Sequence, residues 1–350
     1  MIVDPSAPGT ATPILVVGEA LIDIVIHDGG SGPAGGRVGG GAPTERSGSG
    51  PAGGQVGGGA PTERSGSGPV EHVGGSPANV AKGLARLGHP VTLATHIGDD
   101  DRGRRIAAEL QLDGVIVTPG STTAERTPTA TAHLDEHGKA TYEFDLAWQV
   151  EDGIGAQEGG HLHTGSIAAT LQPGGSDVLA LAAGARGRAT VSYDPNARPA
   201  IMGSPTDARA VVERLVAKSD LVKVSDEDIE WLYGVPGFRD VVEEWHAMGP
   251  PLIVVTLGSE GAFVSCGGET ETLPSAEVTV ADTVGAGDSF MAGLLSGLLD
   301  AGLLGGVEAR DRLAAASLDD VRPAVQRALT SAGITVSRAG ANPPTRAELG

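Results

Sequence analysis

The sequence predicts an α/β fold in which a mostly parallel central sheet is flanked by helices and a small second sheet stands apart. Three observations carry this. Short runs that read as buried strands, such as Ile14–Gly18, Leu221–Val224 and Pro251–Thr256, alternate with helical patterns. Thr127–His133 and Ala140–Phe144 instead alternate residue by residue around Glu136-His137-Gly138, the signature of a hairpin. Two glycine-rich segments, at 74–75 and 285–287, each run directly into a helical stripe.

Taken in order, Ile14–Gly18 is a short buried strand, and Glu19–Ile26 is expected to continue it with Asp23 near its end. From Ser76, a good N-cap, and Pro77 at the first helical position, a helix runs on Val80, Leu84 and Leu87 to a stop at Gly88. A strand at Val91–Leu93 follows, then the Gly98–Gly103 loop and a helix through Leu110. After the hairpin, Val191–Asp194 reads as a strand, Asp207–Ala217 as a helix and Leu221–Val224 as a further strand. Ser225 with Asp226, Glu227 and Asp228 reads as a capped helix start. The strand ending at Thr256 runs into a turn holding Gly258 and Gly261. The helix after the 285–287 turn carries Phe290, Met291, Leu294, Leu295 and Leu298 on one face and stops at Gly302. Its Gly293 and Gly297, four apart, allow close approach to a sheet or another helix.

One segment departs from this pattern. Residues 31–48 and 49–66 are the same 18-residue unit with a single change, Arg37 to Gln55, and a third copy begins at Ser67. The unit has almost no apolar bulk, so burial cannot offset its chain entropy. Residues 29–69 are therefore expected to be a disordered Gly/Pro/Ser-rich insertion in a surface loop. A tolerated duplication and a mobile docking loop both fit it.

Composition narrows the functional classes. The net charge of −20 argues against nucleic acid or an anionic membrane surface as the main partner. A single cysteine, Cys266, excludes an internal disulfide framework and suits a reducing compartment. The first residues lack the basic start of a secretory leader, and no stretch approaches a membrane span. The expectation is a cytoplasmic protein of one domain across its 350 residues. No GxxxxGK[ST] run, HExxH or CxxC occurs, and the nine histidines show no metal-ligand spacing.

The chemistry concentrates in Ala281–Phe290. Gly285-Ala286-Gly287 offers backbone N–H groups at a helix start with no side chains in the way, an arrangement suited to a phosphate. Asp288 follows in the first turn, placed to take a proton from a hydroxyl. The same residues also read as a plain strand-to-helix turn whose aspartate complements the helix dipole. At the other end of the chain, Gly74 and Gly75 let a ligand lie against bare backbone, and Asn79 presents donors and an acceptor that suit sugar hydroxyls or local capping. Asp194 and Asn196 are ordinary turn formers, and an arginine such as Arg198 commonly ends in a salt bridge.

Asp282-Thr-Val-Gly-Ala-Gly-Asp288 resembles the C-terminal signature of the ribokinase (PfkB-type) carbohydrate kinases, and Gly74–Gly88 resembles their substrate-side motif. The resemblance runs from about Ile14 to Pro344, with the repeat as its one large departure. It implies a three-layer ribokinase-like fold with a β lid built from parts of about 23–75 and 126–146. It implies transfer of the γ-phosphate of MgATP to a sugar hydroxyl, with Asp288 as base and Gly285, Ala286 and Gly287 as the anion hole. Asp23, Gly74, Gly75, Asn79 and Arg198 would hold the sugar. Lys223, Asp228, Thr256, Gly258, Gly261 and Asn342 would lie along ATP, Asp228 acting on Mg²⁺ through water although the family usually has Glu there. Asp282 would neighbour a monovalent cation, K⁺, and lid pairing would give a homodimer. Gly18–Asp23, Gly74–Ala81, Tyr142–Asp145 and Asp194–Arg198 look most like fructokinases, with ribokinase and 2-keto-3-deoxygluconate kinase sharing parts. A sugar- or ATP-binding regulator without catalysis is the reading from another class.

Overall fold

The computed structural model describes residues 11–27, 69–134 and 140–350. Its thirteen strands in chain order are β1 (Ile14–Val17), β2 (Leu21–His27), β3 (Val70–Gly74), β4 (Val91–Ala94), β5 (Ile116–Val117), β6 (Thr129–Leu134) and β7 (Ala140–Asp145), followed by β8 (His161–Gly165), β9 (Thr190–Asp194), β10 (Leu221–Ser225), β11 (Leu252–Thr256), β12 (Ala262–Cys266) and β13 (Glu269–Leu273). Nine form one sheet in the order β13-β12-β11-β10-β9-β8-β1-β4-β5. All neighbours in it are parallel except β11–β12 and β12–β13.

Apolar side chains fill both faces of this sheet. On one side Ile14, Val16, Leu221 and Val254 pack under the helices Ser76–Arg86, Ala286–Asp300 and Leu318–Val336. On the other, Val17, Leu162, Tyr193 and Val222 pack against Gly174–Ala185, Pro205–Val216 and Arg239–Met248. This is the three-layer arrangement, and its parallel strands are buried on both faces as such strands must be. Gly297 shows how tightly the helical layer closes. A Cβ there would stand 2.5 Å from Ala324 Cα, so the two glycines four apart serve close helix–helix contact.

A second, four-stranded sheet stands apart, in the order β3-β2-β6-β7. β6 and β7 form the expected antiparallel pair; their turn at 135–139 lies outside the described residues, as do residues 28–68, which hold the duplicated repeat. Two local expectations are corrected. Glu19–Ile26 does not continue β1: the chain leaves the main sheet at Gly18–Ala20, and β2 pairs with β3 and β6 instead. Alternation of apolar residues reads the same in either sheet, so the crossing is silent in sequence. Ser76 is not an N-cap either. Gly75, at φ +104°, precedes the helix and Ser76 is its first residue, its hydroxyl free to reach elsewhere. Among the described residues no helix is long and apolar enough to cross a membrane.

Candidate active site

The carboxyl ends of the parallel strands set out the site, as in other open α/β sheets. β9 ends at Asp194, β10 at Ser225 and β11 at Thr256, with Ser225 and Thr256 in register. Above them begins the helix Ala286–Asp300, preceded by Gly285 in the left-handed region at φ +74°. Glycine is required there twice over, because a Cβ would also stand 2.6 Å from that of Ala341. Asp288 therefore sits in the first turn of a long helix, beside the bare backbone of 285–287.

The two distant motifs meet at this aspartate. Ser76 donates its hydroxyl to Asp288 Oδ1 at 2.6 Å, and Asn79 donates its amide to Oδ2 at 2.8 Å. Asp23, on β2, reaches across to the same place: a Cβ on Gly74 would lie 2.0 Å from its Oδ2, so the glycine makes room for the carboxylate. Gly75 is closed against the Glu19 carbonyl. Asp23, Gly74, Gly75, Asn79 and Asp288 thus gather where the second sheet meets the main one. For Asp23 two tendencies conflict. The protein around it raises its carboxyl to about 6, with Arg198 opposing and Asp288 assisting, yet its side chain is exposed to solvent. Water access at the exposed side chain governs and screens the effect.

Arg198 makes no ion pair within 4 Å among the described residues. Its guanidinium donates to the side chain of Asn196 at 2.8 Å and to the backbone carbonyls of Asn196 and Ala197. That fixes its stem while leaving its charge to act on Asp23 and Glu19.

Lys223 lies beneath the turn. It is 4% exposed, pairs with the buried Asp194 at 3.0 Å, and its ammonium would stand 3.2 Å from a Cβ placed on Gly287. Burial raises the Asp194 carboxyl to about 6, since Lys223 offsets that only in part. Burial also opposes the Lys223 charge, but Asp194, Asp228 and Asp288 together carry the ammonium above its ordinary value. The pair is ionised at neutral pH, with a fixed positive charge under the 285–287 turn.

The remaining predicted residues divide. Asp228 accepts from Ser225 N and Ala197 N, completing a capping box with Ser225 and tying the helix Asp226–Tyr233 to the Asp194–Arg198 turn. Thr256 donates to the Val224 carbonyl at 3.4 Å. Gly258 faces open space, whereas Gly261 is closed by the Leu273 carbonyl, 2.0 Å from where a Cβ would be. The fold alone accounts for the glycine at 261. Asp282 accepts from Val284 N and Gly340 N, drawing the 282–284 turn to the C-terminal segment. Asn342 turns its side-chain oxygen to Arg86 at 2.6 Å, so that oxygen is not aimed at the strand ends.

Three features escape a reading of the sequence. Ser76 is one. A second is a buried polar ladder under the helical layer, where Ser192 joins His161 at 2.8 Å and His163 at 2.9 Å and Thr190 joins His161 at 2.8 Å. Burial depresses both histidines to about 3, so they are neutral. The third is Glu19, 6% exposed, which accepts from Ala168 N at 3.1 Å and whose carboxyl burial pushes up to about 7. A carboxyl raised in the folded state holds a proton that the unfolded chain has released, so this contribution to stability is present below about 4.5 and lost as pH rises to about 7. The loss amounts to about 3 kcal/mol. Glu19→Gln is expected to flatten that slope, gaining on the parent at pH 8 but not at pH 4.5 in denaturant midpoints at the two pH values.

Residues 59–348 match the family model described as pfkB family carbohydrate kinase. The chain belongs to the pfkB family of carbohydrate kinases. It is accordingly a sugar phosphotransferase. Among similar proteins, the fructokinase of Klebsiella pneumoniae is 36% identical over 239 residues, covering 66% of this chain and 78% of that one. The fructokinase of Rhizobium leguminosarum bv. trifolii is 36% identical over 235 residues, 65% of this chain and 72% of its own. A double mutant of the fructokinase of Vibrio cholerae O395, solved with fructose, ADP and a potassium ion, superposes with a TM-score of 0.70 at 25% identity over 95% of each chain. This kinase thus shares its whole architecture with fructokinases.

Proposed function

We propose that this kinase transfers the γ-phosphate of ATP to a hydroxyl of fructose. The observation that carries the mechanism is the meeting at Asp288 of the substrate-side segment, through Ser76 and Asn79, with the anion turn 285–287. The choice of fructose rests on the relatives named above. Asp23, Gly74, Gly75 and Asn79 hold the sugar so that one hydroxyl faces Asp288, with Arg198 behind Asp23. Asp288 takes that hydroxyl's proton as its oxygen bonds to phosphorus. The N–H groups of Gly285, Ala286 and Gly287, with Lys223 below, stabilise the charge on the transferring group. ATP lies along the ends of β10 and β11, past Asp228, Thr256 and Gly258. Closure of the lid excludes water.

Among the described residues no group of three metal-ligating side chains comes together. Asp228 would hold Mg²⁺ through water, and the ion would supply charge neutralisation. K⁺ beside Asp282 is proposed on the bridge that this carboxylate makes between 284 and 340.

ADP release from MgATP across fructose, ribose, 2-keto-3-deoxygluconate and adenosine tests the reading. Turnover highest on fructose is the expected outcome. A preference for another member keeps the mechanism and changes the substrate, while binding of sugar without turnover on any member would sink the kinase mechanism.

A further inference from the structure

Ser76 opens its helix with a hydroxyl that caps nothing local, because the preceding residue, Gly75, is turned away at φ +104°. Its partner lies 212 residues away, at Asp288 Oδ1, at a distance typical of a charge-assisted O–H···O⁻ bond. Asn79 is three residues further along and so shares a face with Ser76; it fills Oδ2. Both oxygens of the carboxylate therefore carry a donor from one helical turn.

We infer that Ser76 and Asn79 form a hydrogen-bonded cap on Asp288, that the sugar hydroxyl must displace this cap to reach the base, and that Ser76 is a positioning residue that keeps water from using Asp288 when ATP binds alone. The inference rests on the reading of Asp288 as the base. An acceptor already engaged by short donors is a poorer proton acceptor for anything else. A sugar compensates for the exchange, because it brings its own hydroxyl to the carboxylate and other hydroxyls to the released Ser76 and Asn79. A single water offers one oxygen and cannot satisfy all three groups. The suppressed side reaction is ordinary hydrolysis: water oxygen bonds to the γ-phosphorus, the bond to the β,γ-bridging oxygen breaks, ADP leaves and the water proton passes to Asp288.

The test measures ADP release from MgATP alone and from MgATP with the sugar that is turned over, for the parent, Ser76→Ala, Ser76→Thr, Asp288→Asn and the double variant Ser76→Ala/Asp288→Asn. Alanine is benign at a first helical position, and Tm checks the fold. Ser76→Ala is expected to lower the ratio of sugar-dependent to sugar-free turnover about tenfold, the order set by one hydrogen bond to a charged group. Ser76→Thr, which keeps the hydroxyl, restores the ratio, and the double variant loses the added hydrolysis. An unchanged ratio in Ser76→Ala, or hydrolysis that persists in the double variant, overturns the cap. Undiminished sugar turnover in Asp288→Asn alone would instead mark failure of the base assignment.

Discussion

Asp288→Asn lowers kcat for sugar-dependent ADP formation by about 10²–10⁴-fold, the range that a positioned general base contributes, while the fold and both affinities are largely kept. The side chain is of the same size, and its new amide oxygen still accepts from Ser76. The other position now presents N–H to the Asn79 amide, a donor facing a donor, but Asn79 relieves this by turning its own amide over. What the variant cannot do is receive the hydroxyl proton. Steady-state ADP release at saturating ATP and sugar, beside Tm for the same sample, separates chemistry from folding. A fall of less than tenfold would mean that the proton leaves by way of the phosphate itself and that Asp288 only orients the acceptor.

How far this site is legible without coordinates depends on the kind of constraint each residue obeys. Gly285 and Gly75 stand out because left-handed backbone before a helix leaves glycine as the residue of choice, and Asp288 is read off the same turn. The helix ending at Gly302 and the hairpin strands β6 and β7 follow from periodicity and are found within a residue or two. Ser76 and Glu19 are invisible to such reasoning. One acts through a contact 212 residues away and the other through burial beside Ala168, and no local pattern encodes either. The departure of β2 into the lid fails for a related reason, since strand pattern records which face is apolar but not which sheet supplies the neighbour. Asn342 shows the converse limit. Motif resemblance places it near the nucleotide, yet Arg86, near the end of the substrate-side motif, holds its side-chain oxygen.

Lys223→Met separates structure from catalysis at the floor of the site. Removing the ammonium leaves Asp194, 1% exposed, as an unpaired buried carboxylate, which costs about 3–5 kcal/mol when one partner of a buried pair is deleted. The pH dependence has a definite sign. Burial already holds Asp194 at about 6, and without its partner it rises further, so the folded variant retains a proton that the unfolded chain releases near the ordinary carboxylate value. Stability is then present in acid and lost as pH rises through neutrality. Denaturant midpoints should therefore separate variant from parent most at pH 8 and least near pH 5. Adding Asp194→Asn removes the stranded charge and is expected to return most of the stability. Turnover follows a different course. If the ammonium under Gly287 stabilises the transferring phosphoryl group, the double variant stays about 10²–10³-fold slow, the scale of one preorganised electrostatic contact. Stability restored together with activity would show instead that Lys223 serves only to neutralise Asp194, and the stabilising charge for the phosphate would have to come from the backbone of 285–287 alone.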